Sequence, residues 1–328
     1  MPAEPKLKSL ERRRGSMPRS KKITWRGSVP KVVFLREVGP RDGFQNEVVI
    51  LPALTKLALI RSLVDAGQSL IEAVGFADPE TYPQLADAED VARQLPRRDD
   101  VTYSAWVEDS RGMERALVAG IGEVAIGVAA SDGSQRHATK QTTEERIGSL
   151  WEIVALARKH RLQFRGVISS AFVCPFEGKI DPRRVVEIAG RLFDLGCYEI
   201  AISDTTGRAT PKMVWKVFDR LLKKAPASAF AGHFHDTYGM AISNILAAAG
   251  ADVRVFETSI GGLGVCPHAA GAPANVATED VVYVLEGMGI RTNLTLEKLI
   301  QTSGRIERFL NHAIASRVYQ AERHKPDR

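Results

Sequence analysis

From residue 32 onward the chain repeats one unit eight times: a short run of β-branched and apolar residues, then a stretch of helical period. The runs begin at Val32 (VVFLREVG), Ser69 (SLIEAVGF), Val101 (VTYSAWV) and Glu123 (EVAIGVAA) in the first half. They continue at Gln163 (QFRGVISSAF), Tyr198 (YEIAISDT), Ser228 (SAFAGHFHDT) and Val253 (VRVFETSIGG). Strands alternating with helices point to a parallel sheet, because each crossover helix buries its apolar face against the strands it joins. The helical stretches include LTKLALIRSLVDAG, which ends on Gly67, a common stop just beyond the last apolar position, and EERIGSLWEIVALARKH. Eight units suit a closed ring, and no Gly-x-Gly-x-x-Gly follows the first run to favour an open dinucleotide-binding sheet. The expected fold class is therefore α/β, a TIM (β/α)8 barrel, with Leu294 to Val318 as additional C-terminal helices on its outside. At 328 residues and 44% hydrophobic content, the chain has the material for one such domain over residues 32–328.

Charge narrows the partners. The net charge is +6, but residues 1–31 hold ten Lys/Arg against Glu4 and Glu11, an excess of eight, so the remainder carries −2. A slightly acidic body lacks the distributed basic face of a nucleic-acid enzyme. Residues 1–31 read as a disordered basic leader, which cannot bury a core. The expected location is the bacterial cytoplasm, or the mitochondrion if that leader acts as a presequence. No apolar run approaches the roughly 18 residues a membrane helix needs, so no membrane partner is expected. Cys174, Cys197 and Cys266 are too few and too scattered for a disulfide framework, which fits a reducing compartment.

In barrels of this kind the chemistry sits at the C-terminal ends of the strands. Those ends are polar here: the first strand is expected to end in Arg41-Asp42, with Glu72 in the second, Ser169-Ser170 in the fifth, Ser203-Asp204 in the sixth and His233-Phe234-His235-Asp236 in the seventh. The eighth opens into a Gly-rich loop with Cys266 and Asn275. Residues two apart on a strand share a face, so His233 and His235 can chelate one ion. An Asp after the first strand and an Asn near the eighth complete a nitrogen and oxygen set that suits octahedral Mg²⁺ or Mn²⁺.

The stretch REVGPRDGFQNE from Arg36 resembles the opening motif of the 3-hydroxy-3-methylglutaryl-CoA lyase family, within a wider superfamily of metal-dependent lyases and synthases. AFVCPFEGKI, GCYEIAISDTTGRATP, GHFHDTYGMAISN and GLGVCPHAAGAPANVATEDVVYVLEGMGI resemble further family blocks in order, over residues 32–300. The resemblance implies cleavage of 3-hydroxy-3-methylglutaryl-CoA into acetyl-CoA and acetoacetate, by a homodimer. Related branched 3-hydroxyacyl-CoAs, a 4-hydroxy-2-oxoacid, and condensation in the synthase direction are the alternatives. It also implies that Asp42, His233, His235 and Asn275 bind the metal and that Arg41 stabilises the enolate. Glu72, Asp204, Cys266 and His233 become candidates for acid and base work, and Gln45, Arg165, Ser170 and Arg41 for substrate contacts. On spacing alone, Glu72 and Asp204 equally serve as partners that hold Arg41 or a histidine in place. The chain departs from the family pattern at Val48, Val265, His268, Pro273 and Ala274, while its metal set keeps the pattern.

Overall fold

The computed structural model describes residues 29–264 and 274–323. Residues 1–28 of the expected leader, and Cys266 with its neighbours, lie outside the described residues. Each of the eight apolar runs forms a strand: β1 Phe34–Glu37, β2 Leu70–Phe76, β3 Thr102–Val107, β4 Glu123–Ala129, β5 Gln163–Ser169, β6 Ile200–Asp204, β7 Phe230–Phe234 and β8 Val255–Thr258. They pair in parallel in chain order and close between β1 and β8, with Phe34 opposite Val255 and Glu37 opposite Thr258. This is the (β/α)8 barrel expected from the pattern.

Helices α1 Ala53–Asp65, α2 Ala88–Arg93, α3 Ser110–Ala119, α4 Asp132–Thr139, α5 Thr143–Lys159, α6 Pro182–Asp194, α7 Pro211–Leu221, α8 Ala241–Ala249 and α9 Thr278–Gly287 surround the ring. Local sequence starts them: Asp109 accepts from the Gly112 amide at the head of α3, and Thr142 with Glu145 forms a capping box on α5. The C-terminal helices α10 Leu296–Leu310 and α11 Arg317–Glu322 pack on the outside, where α10 lies against α1 and α9. Among the described residues, no helix is long and apolar enough to cross a membrane.

The helices bury Leu, Ile and Val against the outer faces of the strands, while the barrel interior carries charge. Arg36 and Arg165 are among the largest fully buried side chains. Arg36 donates to Glu123 at 2.7 Å, and Tyr198 donates to the other oxygen of that carboxylate at 2.6 Å. Arg165 meets Glu199 at 2.9 Å and Glu257 at 2.5 Å. Burying these charges costs desolvation that their mutual ion pairing offsets.

Two local features shape the C-terminal ends of the strands. The β2–β3 register slips between Glu72 and Val74, a bulge that re-aims the strand beside a site. Arg41 and Asp42 do not lie on β1, which stops at Glu37; they sit on a single π-helical turn, Gly39–Gly43. The turn is made by two i→i+5 bonds, from the Gly43 amide to the Val38 carbonyl at 3.3 Å and from the Phe44 amide to the Gly39 carbonyl at 3.0 Å. Glycine flanks it for lack of room: a Cβ on Gly43 would stand 2.9 Å from Leu263 Cβ and from Ser259 Oγ.

Candidate active site

The mouth of the barrel brings together Asp42, His233 and His235, whose ligand atoms all lie within 4.8 Å of one another. His233 projects from β7, and His235, one residue past its end, forms an antiparallel bridge with Asn275. The two imidazole rings stand 5.1 Å apart. Asn275 donates through Nδ2 to Asp42 at 2.7 Å and to the Leu263 carbonyl at 3.0 Å, which ties it to the cluster. His233 Nδ1 lies 2.7 Å from Glu257 Oε2, so the ring is oriented with Nε2 toward the cavity.

Electrostatics keep the carboxylate donor in its ligand form. Burial disfavours the Asp42 charge, but Arg41, His233 and His235 outweigh it and hold the carboxyl below its ordinary value. Glu257 is likewise buried, and Arg165 with His233 pulls it well below the usual carboxylate range. The same Glu257 bond raises His233 against the opposing effect of burial. Two imidazoles, an ionised carboxylate and an amide oxygen fit a hard or borderline divalent cation, and the buried donors sit beside open cavity space. This is a candidate metal site.

Arg41 closes one side of the site. Its Nε donates to Glu72 at 2.5 Å, and its Nη1 donates to Asp42 at 2.8 Å and to Gln45 at 3.3 Å. Burial opposes the guanidinium charge, yet Glu72 and Asp42 raise its pKa further above the ordinary value. Glu72 is buried against Arg41, the arrangement of a side chain that holds another in position. A cavity of about 420 Å³ opens here, lined by Arg41, Asp42, Gln45, Glu72, His233 and His235 among others.

Three of the expected site residues lie elsewhere. Arg165 has no exposed surface and is locked between Glu199 and Glu257, so it reaches His233 through Glu257 and is not placed for direct substrate contact. Ser170 is buried at the edge of the mouth, its Oγ 3.0 Å from Ser134 Oγ; its neighbour Ser169 lines the cavity. Asp204 is buried and accepts the Ala209 amide at 2.9 Å, which shapes the loop after β6. Burial pushes its carboxyl up to about 6.

Glu257 and Trp106 also belong to the site, though neither stands out in the linear sequence. Glu257 interrupts the apolar run of β8 opposite His233, a carboxylate in a strand that needed a buried partner. Trp106 lines the cavity and places its ring 4.9 Å from the Arg41 guanidinium carbon.

The family model described as HMGL-like matches residues 32–306. The mitochondrial hydroxymethylglutaryl-CoA lyase of Rattus norvegicus is 41% identical over 295 residues, which cover 90% of this chain and 91% of the relative. A solved hydroxymethylglutaryl-CoA lyase from Bacillus subtilis superposes with a TM-score of 0.88 at 40% identity, covering 90% of this chain and 99% of that one. Another from Acinetobacter baumannii, in complex with coenzyme A and 3-methylmalate, matches with a TM-score of 0.86 at 34% identity over 91% of this chain and 97% of that one. A barrel whose mouth assembles Arg41 beside Asp42, His233 and His235, matched along nearly its whole length, belongs to the HMGL-like family.

Proposed function

We propose that this protein cleaves 3-hydroxy-3-methylglutaryl-CoA to acetyl-CoA and acetoacetate. The observation that carries the reading is the Arg41 guanidinium held at the rim of the Asp42, His233, His235 cluster by Glu72 and Asp42. It rests also on the lyase relatives, one of which was solved with coenzyme A.

Cleavage passes the proton of the tertiary hydroxyl to a base, for which His233 is the candidate, breaks the bond between C2 and C3, leaves C3 as the ketone of acetoacetate, and passes the bond electrons to the thioester as an enolate. Protonation of C2 then yields acetyl-CoA. A divalent cation bound by Asp42, His233, His235 and Asn275, Mg²⁺ or Mn²⁺ in this reading, supplies Lewis acidity that makes the substrate hydroxyl more acidic. Arg41 places fixed donors where the enolate oxygen develops charge, a role worth about 3 kcal/mol for a single donor. Glu72 keeps that guanidinium aimed, and Gln45 extends the polar wall toward the substrate. Glu257 sets the His233 ring, so His233 keeps one nitrogen facing the cavity. Asp204 acts through the loop it shapes. The proton for C2 comes in this proposal from Cys266, as the family resemblance implies, since a thiol with a pKa of about 8.5 is a workable donor near neutrality.

Assembly as a homodimer is part of the same proposal, and sedimentation at the single-chain mass of 35.9 kDa removes it. The reaction itself is tested by product analysis. Incubation with 3-hydroxy-3-methylglutaryl-CoA and Mn²⁺ releases acetyl-CoA and acetoacetate in equal amounts. Release of free coenzyme A without acetoacetate shows a thioester hydrolase and ends the lyase reading.

A further inference from the structure

One wall of the catalytic cavity is a single indole, seated on a glycine that has no room for a Cβ. Trp106 on β3 lies across the neighbouring strand at Gly127 of β4, where a Cβ would stand 2.2 Å from Cη2 and 2.8 Å from Cζ2 of the ring. Gly127 does not have a left-handed backbone, so it serves here as space for the ring. The ring's edge therefore rests on bare main chain.

The seat itself is clamped. Arg146, from α5, donates to the Gly127 carbonyl at 3.0 Å and to the Glu108 carbonyl at 2.7 Å, which ties the ends of β3 and β4 together. The indole N–H bonds the Glu108 carboxyl, whose burial raises its pKa. On its other side the ring meets the Arg41 guanidinium at 4.9 Å from its centroid, a cation–π contact. Main chain, a carboxyl and a guanidinium thus pin the indole from three directions. Trp106, Gly127, Glu108 and Arg146 all line the same cavity as the metal cluster.

We infer that Trp106, seated on Gly127, sets the width of the acyl pocket and selects 3-hydroxyacyl thioesters whose C3 branch is small. This rests on the lyase reading and names the feature of the substrate that the site discriminates. Because Arg41 contacts both the indole and Asp42, the wall stands next to the reacting groups, not along the distant cofactor arm. A pinned ring cannot retreat before a larger branch, and a misfit of one methylene against a pocket wall changes kcat/KM by roughly 10- to 200-fold.

The test compares kcat/KM for 3-hydroxy-3-methylglutaryl-CoA and its 3-butyl analogue in wild type, Trp106→Leu and Gly127→Ala. The wild type prefers the methyl substrate, and Trp106→Leu shifts the ratio toward butyl by about 10-fold or more. Gly127→Ala, which drives the ring into the cavity, shifts it the other way. Binding of 3-methylglutaryl-CoA and 3-butylglutaryl-CoA, which lack the hydroxyl and cannot be cleaved, is measured by calorimetry in the same proteins and follows the same order. A wild type that cleaves neither substrate removes the lyase reading, while the binding ratio still decides the role of Trp106. Equal losses on both ligands in Trp106→Leu overturn the inference and leave Trp106 as a prop for Arg41.

Discussion

At the scale of the residue, function depends on side chains that hold other side chains. Arg41 is grasped by Glu72 and Asp42, so it is aimed before any substrate arrives. Arg41→Gln should lower kcat by about 10²-fold with little change in KM, because its donors act where charge develops in the transition state. Steady-state kinetics decide this, and a change confined to KM reassigns Arg41 to substrate anchoring. Glu257 holds His233 in the same manner, at 2.7 Å from Nδ1. Glu257→Gln should weaken Mn²⁺ affinity by about 10- to 100-fold, the range for partners behind a ligand. Glu199 still pairs Arg165 in that variant, so circular dichroism should show a folded barrel. Unchanged Mn²⁺ affinity in calorimetry refutes the positioning role. The pair His233 and His235 was legible from spacing, since alternate residues share a strand face. Glu257 and Trp106 were not, because each is defined by a neighbour on another strand, and the register between strands is absent from a linear pattern.

At the scale of the element, a pattern of period two and period 3.6 was enough to place all eight strands, and the π-helical turn after β1 was not. That turn depends on Gly43 packing against Leu263, more than two hundred residues away in the chain. Two buried carboxylates secure the segment that faces it. Glu37 accepts the amides of Gly39 and Ile260, each at 2.8 Å, and Glu279 accepts the Gly261 amide at 3.0 Å. Burial raises both carboxyls from 4.5 to about 7. Between those values the folded protein holds protons that the unfolded chain has released. Their contribution to stability is thus full below pH 4.5 and is lost as pH rises through about 7. Chemical denaturation at pH 5 and pH 8 should show a decline on the order of 3 kcal/mol from such a group. Glu37→Gln stays neutral and keeps an acceptor for the two amides, so it should match wild type at pH 5 and exceed it at pH 8. A variant that loses as much stability as wild type over this interval contradicts the assignment.

At the scale of the whole molecule, the barrel separates its tasks along one axis. Aliphatic side chains between strands and helices supply the core, and the charged column from Arg36 through Arg165 to Glu257 ends on His233 of the candidate metal site. The donors of the candidate metal site lie at strand ends and loops and contribute little to the core. Removing the cation should therefore abolish turnover and leave the fold intact. The most direct measurement is acetyl-CoA release from 3-hydroxy-3-methylglutaryl-CoA by chelator-treated protein as Mn²⁺ or Mg²⁺ is added back, beside the Asp42→Ala variant. The account predicts no turnover without the cation, saturable recovery in wild type and none in Asp42→Ala, with the far-ultraviolet circular dichroism of all samples unchanged. Full activity in the chelated protein, or in Asp42→Ala, would contradict it.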